Sequence, residues 1–345
     1  SKENPELKKD WDNAVSLEIP EDLKEKIHEL DIDTPIATRK ASGASLRKIA
    51  DELSYLIGGS ADLAPSNKTY LDKYGEIQKN NFVGRNIRFG VREHAMGAIV
   101  NGIAAHGGLR PFAATFLVFT DYMKSSMRMA ALMGLPVIYV LTHDSIYIGE
   151  DGPTHQPVEH VESLRLIPDL KVFRPADDDE TKEAWLEALE RKDGPTALVF
   201  TRQNLPHLEK ENGLGGFDKG AYIVSGSVDS EVDVVLMASG SEVSLALETA
   251  EKLAEDNIKY RVISVPDRMK FANDDKEYLS GLLGSSNVLR VAIEAGTGQG
   301  WYQLLGENHH LVSVETFGES APGQEVAEHF GFNAEKIAKD IKNKL

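Results

Sequence analysis

Glu93 stands at the head of a helix made largely of small residues. The segment "FGVREHAMGAIVNG" (89–102) ends an apolar run at a glycine. It then sets Arg92, Glu93 and His94 side by side and continues through Ala95, Gly97, Ala98 and Gly102. A carboxylate in a first helical turn complements the helix dipole, so plain capping is one reading. The glycines suggest another. Each costs about 1 kcal/mol against alanine inside a helix, which is reasonable where two backbones pack closely and an acid is held partly dehydrated. Such a glutamate favours its protonated form and can share a proton with a ring nitrogen. In "TFLVFTDY", Phe116, Phe119 and Tyr122 recur every third residue. If helical they form one stripe, which is either core or a cradle for a flat ring. The segment "THDSIYIGEDGPTHQP" (142–157) carries His143, Asp151 and His155 in a polar, turn-rich loop after an apolar run. Its histidines suit hydrogen bonding or proton transfer. Arg39 in "ATRKASG" and Arg202 in "FTRQNLP" suit a bidentate phosphate clamp or surface ion pairs. His155 and His160 come with no supporting ligand set, so no metal site is expected.

The elements that must hold these residues alternate. "SYLIGG", "NIRFGV", "RPFAATF", "LPVIYVLT", "LKVFRPA" and "TALVFTR" read as strands, separated by helical patterns such as "DYMKSSMRMAALMG" and "DDETKEAWLEALERK". Continuous apolar strands alternating with helices predict a parallel sheet covered on both faces. In such sheets ligands bind beyond the carboxyl ends of the strands. Asp62, Ser66, Glu93, Phe116, His143 and Arg202 all follow strand ends. Beyond a polar, glycine-rich stretch the alternation restarts with "VDVVLMASG", after which Ser241 is positioned to cap the next helix. The fold class expected is α/β, with two domains, each a mainly parallel sheet with helices on both faces.

Composition narrows the function. The chain has 345 residues, 41% of them apolar, with a net charge of −17 and no cysteine. Such a charge repels nucleic-acid backbones. No apolar run reaches the roughly eighteen residues that would cross a bilayer. The lack of cysteine excludes disulfides, thiolate metal sites and cysteine nucleophiles, and fits a cytoplasmic location.

The strings "ATRKASG", "GGSADLAPSN", "RFGVREHAMGAIVNG", "THDSIYIGEDGPTHQP", "FRPADDDE" and "TRQNLP" resemble, in order and spacing, those of the transketolase family. The resemblance implies a helical connector at 1–33, a pyrimidine-binding domain at 34–206, a linker at 207–217 and the family's C-terminal domain at 218–345. It implies that Glu93 hydrogen-bonds the aminopyrimidine of thiamine diphosphate, that Phe116, Phe119 and Tyr122 enclose that ring, and that Asp62 lies near the cofactor. It further implies that His143, Asp151 and His155 read sugar hydroxyls, with His155 assisting proton transfer, and that Arg39, Ser66 and Arg202 hold the sugar phosphate. The family's diphosphate-binding domain carries a G-D-G motif with a later asparagine, and no G-D-G occurs here. The ligands of the diphosphate and of Mg2+ are therefore expected elsewhere than on this chain. The resemblance implies the C-terminal half of a homodimeric enzyme that moves a two-carbon ketol unit between sugar phosphates. Alone it would be inactive. The methionine-free start at Ser1 fits a truncated form, and the loop 142–157 is expected to be mobile without ligand. Two alternatives are the β chain of a 2-oxoacid dehydrogenase, against which "GEDGPTHQP" stands, and a non-catalytic dimerisation module.

Overall fold

The computed structural model describes residues 4–209, 214–228 and 231–345; residues 210–213, within the expected linker, lie outside the described residues. In chain order the first part contains α1 (Pro5–Ser16), α2 (Leu23–His28), α3 (Thr38–Glu52), β1 (Leu56–Ser60), α4 (Ala64–Asn67), β2 (Asn86–Arg88), α5 (Glu93–His106), β3 (Arg110–Phe116), α6 (Thr120–Leu132), β4 (Ile138–Thr142), α7 (His160–Arg165), β5 (Lys171–Phe173), α8 (Asp178–Glu190) and β6 (Thr196–Phe200). The second part contains β7 (Gly215–Gly216), β8 (Ala221–Gly226), β9 (Val234–Ala238), α9 (Glu242–Ala254), β10 (Tyr260–Ser264), β11 (Leu289–Ile293) and β12 (His309–Val312), with further helices at Arg268–Ala272, Lys276–Leu283, Gly323–His329 and Ala334–Lys342.

Among the described residues the strands form two six-stranded sheets, ordered β2-β1-β3-β4-β6-β5 and β12-β11-β9-β10-β8-β7. The first is parallel throughout; in the second, β8 runs antiparallel to both β10 and β7. Side-chain alternation along each strand feeds two cores. Ile138 and Val140 of β4 join Leu198 and Phe200 on the face covered by α3 and α8, while Tyr139 and Leu141 join Ala197 and Val199 on the face covered by α5 and α6. The second sheet repeats the pattern: Val234 and Leu236 of β9 face one core, Val235 and Met237 the other. Both sheets therefore have helices on both faces. The tract "ADDDE" starts α8 as acidic tracts do, with Asp177 accepting the Glu180 amide at 2.7 Å and three acids in the first turn.

Three local readings are corrected. The 1–33 segment is more than a connector, because Leu23 and Ile27 of α2 are fully buried in the first domain's core. Ser241 precedes α9 but does not cap it: its hydroxyl donates to Glu242 Oε1 instead. Phe116, Phe119 and Tyr122 do not share one helix. They lie at the end of β3, in a 3-10 turn (Leu117–Phe119), and in the first turn of α6.

Candidate active site

In the first sheet the chain leaves β1 toward one edge and β3 toward the other, so a crevice opens between their carboxyl ends. Five of the expected residues form one row of rings that starts at the end of β3. Phe116 ends β3, and the His143 ring stacks on it with centroids 3.7 Å apart. Phe119 stacks on Phe116 at 5.9 Å, and Tyr122 lies 6.3 Å beyond. The His155 ring meets Phe119 edge-on at 5.7 Å. Burial falls along this row, from Phe116 at 8% exposure to Tyr122 at 65%. The row is a graded aromatic wall reaching toward solvent, unlike a core stripe.

His143 adopts a left-handed backbone, φ +62°, unusual for a non-glycine residue. Such strain is held only where the surroundings enforce it. Here Asn67 Nδ2 donates to Ser60 Oγ at 2.9 Å, and Asn67 Oδ1 accepts the Thr142 hydroxyl at 2.7 Å. Thr142 has then given away its one proton, so its oxygen accepts from His143 Nδ1 at 2.7 Å. The network leaves His143 Nε2 as an acceptor. Burial, then the charges of Arg39, Arg202 and His155, holds the imidazole's pKa down at about 3, so it is neutral near pH 7.

The two arginines are placed together by their neighbours. The Thr38 amide donates to Thr201 Oγ1 at 3.1 Å, and the Thr201 amide to Thr38 Oγ1 at 2.8 Å. This reciprocal pair ties the head of α3 to the end of β6 and sets Arg39 beside Arg202. Arg39 Nη1 donates to the Ser66 carbonyl at 2.6 Å, while its buried Nε has no hydrogen-bond partner among the described residues. Burial, with Arg202 nearby, lowers the Arg39 pKa. Two crowded guanidiniums favour an anion between them.

Glu93 is the first residue of α5 and is 8% exposed. Its carboxylate takes no hydrogen bond or ion pair from the described residues. Gly97, one turn on, lies against α6: a Cβ there would stand 2.6 Å from Ser126 Cβ. Gly102 differs from expectation, since a Cβ there would meet nothing. It belongs to an exposed face with Ile99, Met129, Leu132 and Met133. Asp62, exposed and with φ +63°, follows β1. Asp151 is exposed on the 142–157 loop. No hydrogen bond or ion pair joins Glu93, Asp62 or Asp151 to the aromatic row among the described residues. His160 has Asp121 Oδ2, 39 residues away in sequence, 3.3 Å from Nε2 and the adjacent Glu159 beside Nδ1; both acids are exposed.

The loop itself is anchored. Ile146 is fully buried in the second domain's core, with Tyr147 and Val158 packed against it. This gives the loop a physical reason for order that the polar sequence did not suggest. Next to it lies a buried charge network spanning both domains. Arg174 donates from Nε to Asp144 at 3.0 Å and from Nη1 to the Ser239 carbonyl at 2.9 Å, and also pairs with Glu242. Arg165 donates to Glu294 at 2.7 Å and to Ser239 Oγ at 3.2 Å. Arg268 grips Glu162 through both carboxylate oxygens, at 2.8 and 2.6 Å. Burial opposes the charge on Glu294, yet Arg165 and Arg174 hold its pKa at about 2. Sequence reasoning missed this network. Charged residues beside buried strands were its one local sign.

Comparison with known proteins follows the same division. Residues 34–207 match the family model of the transketolase pyrimidine-binding domain, and residues 220–333 that of the transketolase-like C-terminal domain. The chain is 45% identical to the transketolase of Bacillus subtilis (strain 168) over 340 residues, covering 98% of this chain and 51% of that protein. It is 45% identical to the transketolase of Aquifex aeolicus (strain VF5) over 342 residues, covering 99% and 49%. The chain thus spans about half the length of the curated relatives it matches. The solved transketolase of Leishmania mexicana superposes with a TM-score of 0.92 at 39% identity, over 99% of this chain and 50% of that one. A split-gene transketolase, described as an inactive β4 tetramer, shares the fold with a TM-score of 0.69 at 23% identity, over 90% of this chain and 98% of that one.

Proposed function

This chain belongs to the transketolase family, and from that premise we propose that it supplies the pyrimidine-binding and C-terminal domains of an enzyme moving a two-carbon ketol unit between sugar phosphates. The observation that carries the proposal is the joining of Arg39 and Arg202, through Thr38 and Thr201, beside a neutral His143 at the carboxyl end of one parallel sheet. A phosphate dianion relieves the crowding of the two guanidiniums and is fixed by their planar donors. His143 Nε2 accepts a hydroxyl of the sugar, and His155 and Asp151 take further hydroxyls from the loop. Ser66 borders the phosphate through the backbone that already receives Arg39.

Transketolases use thiamine diphosphate and a divalent metal. The Glu93 carboxylate, without a hydrogen-bond partner among the described residues on a residue 8% exposed, and the graded aromatic wall fit the cofactor's flat pyrimidine, so Glu93, Phe116, Phe119, Tyr122 and Asp62 would hold that end. When bound, the cofactor supplies an electron sink for the two-carbon unit. Glu93 would share a proton with a ring nitrogen of the bound cofactor, and the aromatic wall would orient the ring. The diphosphate and metal ligands are assigned to a separate domain. The exposed apolar face of α5 and α6 supports a homodimer. The split-gene relative supports a chain that works with a separately encoded partner. We assign the two domains to 34–206 and 218–345, and the protein to the cytoplasm.

The test is ketol transfer from xylulose 5-phosphate to ribose 5-phosphate, with thiamine diphosphate and Mg2+, before and after adding the N-terminal half of a related transketolase. Activity is expected only after the addition. Robust transfer by this chain alone would remove the need for a partner. No transfer with both pieces folded, accompanied by pyruvate decarboxylation with a supplied α chain, would move the assignment to the 2-oxoacid dehydrogenases.

A further inference from the structure

The 142–157 loop carries three of the proposed substrate groups, and a segment of the other domain holds its far end. The amide of Gln156, 2% exposed, donates both of its hydrogens to carbonyl oxygens: Gly149 within the loop at 2.8 Å and Glu319 of the second domain at 2.9 Å. Ser320 Oγ donates to the Glu150 carbonyl at 2.7 Å. Gly318 makes the space, since a Cβ there would fall 1.6 Å from Gln156 Oε1. That Oε1 is buried and has no hydrogen-bond partner among the described residues. An unsatisfied buried acceptor is a cost that calls for a reason. Here the reason is the opposite end of the same amide: a side chain presenting two N–H groups in one plane can bridge two carbonyls from two domains.

We propose that Gln156 is a positioning residue, which with Ser320 clamps the His155-bearing loop onto the 318–320 segment so that the C-terminal domain sets the geometry of sugar-hydroxyl recognition. The inference rests on the transketolase reading for its catalytic consequence and on geometry alone for the clamp. His155 and Asp151 lie between the two clamped points, Gly149–Glu150 and Gln156. Arg39 and Arg202 lie outside, held by the Thr38–Thr201 pair. Releasing the clamp therefore disturbs the hydroxyl-reading groups and spares the phosphate grip.

The experiment pairs hydrogen–deuterium exchange on the full chain with the complemented transfer assay, for Gln156→Met, Gly318→Ala and Ser320→Ala. Gln156→Met keeps the volume and removes the donors. Gly318→Ala displaces the same amide from the other side. Ser320→Ala removes one exposed bond and is expected to fold in any case. Amides 149–156 are expected to exchange faster while those of β3 and β4 stay protected. In Gln156→Met, kcat is expected to fall on the order of 10²-fold, as for a misplacement of about 1 Å, with the KM for ribose 5-phosphate unchanged. Unchanged exchange at 149–156 in all three variants overturns the clamp. Faster exchange with kcat intact overturns the positioning role of Gln156. Faster exchange in a chain whose wild type shows no ketol transfer with the added half keeps the clamp and overturns the transketolase reading instead.

Discussion

At the carboxyl end of the first sheet the chain leaves β1 and β3 in opposite directions to open a crevice, and an aromatic row with a neutral histidine stacked on it begins at the end of β3. The second sheet has its own crevice, between β9 and β11, where the chain again leaves in opposite directions. That crevice is full. Ser239 after β9 and Glu294 after β11 receive the guanidinium groups of Arg165 and Arg174 from the first domain. The two places are equivalent in topology, and both take positively charged or polar recognition groups. On the proposed function, one presents arginines to a ligand; the other accepts arginines from the first domain. The carboxyl end of a parallel sheet concentrates loops and backbone donors wherever it occurs, and the side chains on those loops decide whether a small molecule or a neighbouring domain is bound there.

The largest effect expected is at the open crevice. Glu93→Gln removes the acid while keeping its shape, and should lower ketol transfer by about 10²–10⁴-fold in the complemented assay. Full activity in that variant would break the assignment of the open crevice to proton chemistry. At the filled crevice, Arg174→Met leaves Asp144, Glu242 and Glu294 short of a partner and should cost about 3–5 kcal/mol in urea unfolding. A loss within experimental error would show that the filled crevice tolerates solvent, and the contrast with the first would weaken.

Protons act on the first crevice through His143. The unfolded chain binds a proton at His143 near pH 6.5, whereas the folded one resists until about 3. The unfolded state therefore holds more protons across that window, and stability is lost as pH falls through it. His143→Gln should flatten the fall of Tm across that range, and an unaltered slope would place the acid sensitivity elsewhere. A smaller effect tests the support under Glu93: Gly97→Ala puts a methyl 2.6 Å from Ser126 Cβ and should cost about 1–3 kcal/mol by overpacking. An unchanged Tm would mean that α5 and α6 can part without penalty.

Local sequence pattern specifies the elements and sets the candidate residues just after strand ends. Strands such as Ile138–Thr142 declare themselves through continuous β-branched and apolar residues, because both of their faces are buried. The same local rule puts Glu93, His143 and Arg202 just after strands, and the motif strings are contiguous enough to be read as family features. Tertiary structure alone decided the rest. Arg165 meets Glu294 across 129 residues, and Gln156 meets Glu319 across 163. The sharing of Arg39 and Arg202 depends on Thr38 and Thr201, also 163 apart. Periodicity reports which side of an element is buried; it carries no record of which distant element does the burying. The depressed basicity of His143 is a product of that second step within the first domain, where burial and the charges of Arg39, Arg202 and His155 converge on it, and the anchoring of its loop is a product of packing against the second domain.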